Sequence, residues 1–144
     1  MSESLDESRA FLPFAPIPDR DSQPYWDALA RGEFRLQRCS DCKALRWPAR
    51  ALCNRCRSFE QAWEEVDANA RIVSWVRTHQ VFAPALHDAV PYRVVQVALD
   101  AQSDLLLIGG WLSSRSPRAG EHVGVQIVEG LEGYHFPCWK PFDG

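Results

Sequence analysis

Hydrophobic and polar residues alternate along most of this chain from Phe34 onward. Phe34-Arg-Leu-Gln-Arg38 has the period of two that a half-buried strand shows. Ala44 to Trp47 reads as its return strand, ended by Pro48, and Ala62-Trp-Glu-Glu-Val66 as another short strand. Five further strands are predicted: Arg71 to His79, Tyr92 to Leu99, Leu105 to Leu112, His122 to Val128 and Gly133 to Phe136. Between them, Asp100 to Asp104 is turn-prone and Ser113 to Gly120 is a polar loop. Gly109, Gly110 and Gly124 sit where bends are expected, which favours a small closed barrel over an open sheet. The five-stranded barrel of this size is the OB-fold.

A helical period shows in residues 22–32, where Tyr25, Trp26 and Leu29 share a face. Ser22 or Asp21 suits the N-cap, Pro24 the first turn and Gly32 the end. Residues 1–20 hold Pro13, Pro16 and Pro18, with Phe11, Leu12, Phe14 and Ile17 among acids. They read as an irregular arm, either packed through its apolar residues or a disordered tail.

The cysteines change this picture most. Four of the five form Cys39-Ser-Asp-Cys42, a ten-residue spacer and Cys53-Asn-Arg-Cys56. Each CxxC turn presents two thiolates on one side of a tight loop, and two facing loops close a tetrahedral four-sulfur shell. Zinc suits that shell, and a closed shell has no open position for substrate, so the expected role is structural. Iron of the rubredoxin type is the chemical competitor. Disulfides are disfavoured because the N-terminus (MSESLDESRA) is acidic, lacks the pattern of a secretory signal and points to the cytoplasm. Cys138 stands apart and reads as a small buried hydrophobe. The whole is predicted to be mainly β: an N-terminal arm and short helix in 1–33, a rubredoxin-like zinc ribbon in 34–68, and a five-stranded OB-fold barrel in 69–144.

With 144 residues, 46% of them hydrophobic, the chain is long enough for an ordinary core. Its longest apolar stretch, Leu105 to Leu112, is too short to span a bilayer. The net charge of −3 hides a contrast. Residues 35–57 hold seven bases and one acid, whereas both flanks are acidic. A nucleic-acid-binding OB-fold carries its bases and aromatic platforms on the barrel, and here the barrel segment is acidic. The small arginine-rich patch suits an acidic partner or the phosphates of one coenzyme A, with Arg46, Arg50 and Arg55 as candidate contacts. An alternative is that these arginines offset the negative zinc–thiolate cluster. None of His79, His87, His122 and His135 lies in a catalytic signature, so no autonomous chemistry is expected.

Several of these features together resemble a family. They are the helix Pro24-Tyr-Trp-Asp-Ala-Leu-Ala-Arg-Gly32, the ribbon Arg35-Leu-Gln-Arg-Cys-Ser-Asp-Cys42, Pro48-Ala-Arg50 before Cys53, and Gly120-Glu-His-Val-Gly-Val-Gln-Ile. Over residues 22–142 the chain looks like the zinc-ribbon plus OB-fold proteins catalogued as "domain of unknown function 35" (DUF35). It departs at Lys43 and Arg57, where the family often has glycine after a knuckle. The resemblance implies a non-catalytic accessory subunit in acyl-CoA metabolism. Its partner would be a thiolase-like aldolase or acyltransferase, or a hotdog-fold, MaoC-type enoyl-CoA hydratase. Steroid side-chain degradation is one such setting, with an acyl-CoA thioester shared between subunits. The other reading is a single-stranded nucleic-acid-binding module.

Overall fold

The computed structural model describes residues 15–84, 87–88 and 90–142. The reading of Phe11, Leu12, Pro13 and Phe14 as an arm lies outside the described residues; Ile17, within them, is exposed.

Helix α1 (Gln23–Ala30) begins after Ser22. Ser22 holds the cap position, but its hydroxyl accepts from the Asp19 N–H while Asp19 Oδ1 accepts from the Ser22 N–H. The helix ends as expected. Gly32 has φ 78°, its N–H reaches the Leu29 carbonyl, and the Glu33 N–H reaches Ala28. This paired closure needs a left-handed residue, which glycine adopts without steric cost.

A three-stranded antiparallel sheet follows, of β1 (Arg35–Cys39), β2 (Leu45–Arg46) and β3 (Gln61–Glu65), in the order β2-β1-β3. The second sheet holds β4 (Ala70–Thr78), β5 (Tyr92–Leu99), β6 (Gln102–Gly110), β7 (His122–Glu129) and β8 (His135–Pro141). All its pairings are antiparallel, in the order β6-β5-β4-β7-β8. Its two ends meet at a bridge between Trp111 and Trp139, and the Leu112 N–H donates to the Trp139 carbonyl. The sheet thus curls into the OB-type half-barrel that the strand pattern implied.

Two strands run further than their sequence pattern suggested. β6 starts at Gln102, leaving only Asp100 and Ala101 in the turn. β8 continues through Pro137 to Pro141. Proline belongs at sheet edges, and β8 is the last strand of the sheet, met on its far side only at the Trp111 bridge. The extension matters because Trp139 is the largest fully buried side chain. Its indole N–H donates to the Ala68 carbonyl at 3.0 Å.

One apolar cluster runs through all three parts. Tyr25 and Leu29 of the helix and Leu36 and Leu45 of the small sheet join Val95, Leu107 and Trp139 of the barrel. Tyr25 lies 4.7 Å from Trp47, and Trp26 packs edge-on against Phe136 at 5.5 Å. The helix therefore wedges between ribbon and barrel and fixes the ribbon in place. Among the described residues no helix is long and apolar enough to cross a membrane.

Candidate metal centre

The two knuckles are built alike. After β1, the Cys39 N–H donates to the Ala44 carbonyl and the Lys43 N–H to that of Cys39. In the second knuckle the Cys53 N–H donates to Ser58 and the Arg57 N–H to Cys53. Each turn needs a left-handed residue after its second cysteine. Lys43 (φ 68°) and Arg57 (φ 65°) take that conformation without being glycine. The departure seen in the sequence therefore leaves the knuckle geometry intact.

The four sulfurs of Cys39, Cys42, Cys53 and Cys56 all lie within 4.8 Å of one another. Cys39 and Cys56 Sγ are 3.5 Å apart, and Cys42 and Cys53 Sγ 3.6 Å. A tetrahedron with Zn–S bonds of about 2.3 Å has edges of about 3.8 Å, so the donor set fits zinc. No disulfide joins these cysteines. Cys39 and Cys53 are buried while Cys42 and Cys56 reach the surface.

The thiols influence one another. The Cys42 N–H, aimed at Cys39, is the main cause holding that thiol down to about 6. The Cys56 and Arg55 N–H groups likewise lower Cys53. At Cys56 the Ser58 N–H favours the thiolate, but burial and the three neighbouring sulfurs push the thiol up to about 12. Four thiolates at this spacing require a cation. The zinc is structural: every sulfur is used and none of the shell is left for substrate.

The arginines of the ribbon are largely engaged within the protein. Arg38 pairs with Glu64, Arg35 with Glu33 and Arg55 with Asp104. Arg50 donates to the Trp47 carbonyl, and its own N–H to the Gln37 side chain. Arg46 is not at the surface at all. It is 1% exposed, and its guanidinium donates to the carbonyls of Arg50, Ala51, Ser58 and Glu60. The sequence does not reveal this role, because an arginine on a two-residue strand reads as surface. Ser58 and Asp41, joined by a side-chain hydrogen bond between the knuckles, are a second contact with no sequence signal.

Elsewhere, His122 pairs with Asp100, and His87 lies 3.1 Å from Asp88 in an exposed loop. Cys138 is fully buried, and burial pushes its thiol up to about 11, as suits a core residue.

Ribbon, wedge helix and half-barrel together define a zinc-ribbon protein with an OB-type barrel. Residues 26–61 match the family described as "ChsH2, rubredoxin-like zinc ribbon domain". The zinc ribbon is thus of the DUF35/ChsH2 kind, and the chain as a whole has the DUF35 fold. A chain of the solved "Ltp2-ChsH2(DUF35) aldolase" is 25% identical, with a TM-score of 0.79 over 88% of this chain and 98% of that one. A DUF35 protein of unknown function from Sulfolobus solfataricus shares the fold alone, at 13% identity and a TM-score of 0.59 over 85% of each chain. A "Probable enoyl-CoA hydratase alpha subunit" of Thermomonospora curvata is 30% identical over 100 residues. That match covers 68% of this chain and only 30% of the relative's length.

Proposed function

We propose that this protein is a non-catalytic subunit of an acyl-CoA enzyme, holding and stabilising a thiolase-like aldolase or acyltransferase. The observation that carries this reading is an uncovered apolar face on the barrel. In β4 the register slips between Ile72 and Ser74, and such a bulge re-aims the side chains beyond it. Beyond the slip Val76 is 59% exposed, and Ile108 on β6 is 64% exposed. Trp75, Val76, Val94 and Ile108 line a largely apolar cleft of about 230 Å³. The next rung of the ladder sets Arg77 opposite Arg93, with no acidic partner for either among the described residues. Apolar surface of this kind with a charged rim suits a protein partner.

The relatives support the enzyme class. One is a chain of an assembly named as an aldolase, and the other is named as a hydratase subunit. A MaoC-type hydratase is the second candidate partner, and steroid side-chain degradation the candidate setting. Where a coenzyme A thioester lies at the subunit boundary, Arg55 and Arg50 are this chain's contributions to its phosphates. Arg46 is inside the fold.

Co-expression with a candidate thiolase-like or MaoC-type hydratase partner, followed by size-exclusion chromatography, tests the proposal. A single co-eluting complex is expected. Ile108→Glu should separate the two while leaving the zinc content unchanged. Separate elution of the wild-type pair, with the enzyme fully active alone, overturns the proposal.

A further inference from the structure

Arg46 and Gln37 are the only fully buried polar side chains among the described residues, and Arg46 carries a charge. Its guanidinium meets no carboxylate. Nη1 donates to the carbonyls of Arg50 and Ala51, both at 3.1 Å, and Nη2 to those of Ser58 at 3.3 Å and Glu60 at 3.4 Å. The first pair lies just before Cys53 and the second just after Cys56. Two of these carbonyls have a second donor. Ser58 also accepts the Cys53 N–H at 2.9 Å, within the second knuckle. Glu60 also accepts the Ser40 N–H at 3.0 Å, and Ser40 follows Cys39 in the first knuckle. A single planar fork therefore touches the chain on both sides of one knuckle, including the Glu60 carbonyl that ties it to the other.

We infer that Arg46 is the positioning residue that holds the two knuckles at metal distance. Its charge suits the task. A buried cation without a counter-charge is costly, and four thiolates around Zn²⁺ leave a cluster of net charge −2 in the same small ribbon. The carbonyl dipoles and that cluster together compensate the guanidinium. Lysine does not replace it, because an ammonium on a flexible stem has no fork to reach carbonyls on two sides. Groups that orient metal ligands from outside the coordination shell typically change metal affinity by about 10- to 100-fold when removed. The inference concerns this chain alone and does not depend on which enzyme it partners.

Zinc transfer from the full-length protein to a chromogenic chelator, with Co²⁺ titration of the reduced, metal-free protein, tests it. Arg46→Lys and Arg46→Met should release zinc about 10- to 100-fold faster than wild type and bind Co²⁺ correspondingly more weakly. Their tetrathiolate charge-transfer bands should shift or broaden, a signature that a loss of general stability does not produce. Arg71→Lys, on the barrel, should behave as wild type. Zinc release and cobalt spectra of Arg46→Lys that match wild type overturn the inference. Should both Arg46 variants fail to fold, nitrogen-15 NMR of the wild-type zinc form decides. Individually resolved, slowly exchanging Nη protons for Arg46 are expected, and a single fast-exchanging signal overturns the assignment.

Discussion

Gln102 reaches from the first residue of β6 to Leu45 in the ribbon and acts as a missing strand. Its Oε1 accepts the Leu45 N–H at 2.9 Å, and its Nε2 donates to the Leu45 carbonyl at 3.1 Å. Leu45 is 2% exposed, so both backbone groups depend on this carboxamide. A strand edge is satisfied by a side chain from the other sheet.

Gln102→Ala leaves that pair of backbone groups unpaired. Each buried unsatisfied group costs roughly 1 to 3 kcal/mol, less where water enters. A loss of about 2 kcal/mol in unfolding free energy is expected by urea denaturation. Zinc release should also accelerate, since β2 carries Arg46. An unchanged midpoint contradicts the coupling of ribbon to barrel.

Arg57 holds a left-handed conformation that costs an L-residue about 1 to 2 kcal/mol, partly regained with glycine against its larger unfolded-state entropy. Arg57→Gly is therefore expected to stabilise the zinc form by roughly 0.5 to 1 kcal/mol. In a chain of this size that raises Tm by about 2 °C. A lower Tm shows that the Arg57 side chain does something the structure does not reveal.

Gly109 lies at the barrel seam. A Cβ there sits 2.6 Å from the Pro137 carbonyl oxygen and 2.6 Å from the Trp139 ring. Gly109→Ala must push β6 away from β8 or displace the buried indole. Overpacking of this kind costs about 1 to 3 kcal/mol, to be read as a drop in Tm together with a change in tryptophan fluorescence. A variant with wild-type Tm and emission contradicts the closed seam.

Glu121 fastens the loop beneath β7. Its carboxylate accepts from both Nη atoms of Arg115 and from the Arg118 N–H at 2.9 Å. Arg115 in turn lies 5.7 Å from the centre of the Trp111 ring. The Arg115 hydrogen bonds, chiefly, hold the Glu121 carboxyl below its ordinary value. A carboxylate lowered in the folded state stabilises it above the unfolded-state pKa, and this stabilisation is lost as pH falls through the folded-state pKa. Glu121→Gln should therefore lower Tm at pH 7, and the gap to wild type should shrink below about pH 4. A gap that stays constant down to about pH 3 contradicts an ionic contribution.

Much of the fold was legible because its signals are local. The CxxC spacing picked out the four cysteines whose sulfurs the fold brings together, and alternation located β5 and β7 to within a residue of their observed ends. Less legible were features that depend on what lies opposite. The last predicted strand stopped at Phe136, yet the last strand of the sheet runs on through Pro137 to Pro141, and that extension carries Trp139 into the core. Gln102 and Asp104 looked like turn residues because both point to partners in the ribbon, Leu45 and Arg55. Arg46 looked like part of a surface patch because no one-dimensional pattern shows that four carbonyls converge on it.

The metal centre carries the rest of the structure's logic, since knuckles, wedge helix and barrel edge all converge on the ribbon. Zinc-edge X-ray absorption of the purified protein examines it most directly. One zinc per chain with four sulfur neighbours at about 2.3 Å is the expected result. A shell containing nitrogen or oxygen, or less than half an equivalent of metal with four titratable thiols, contradicts a closed structural site.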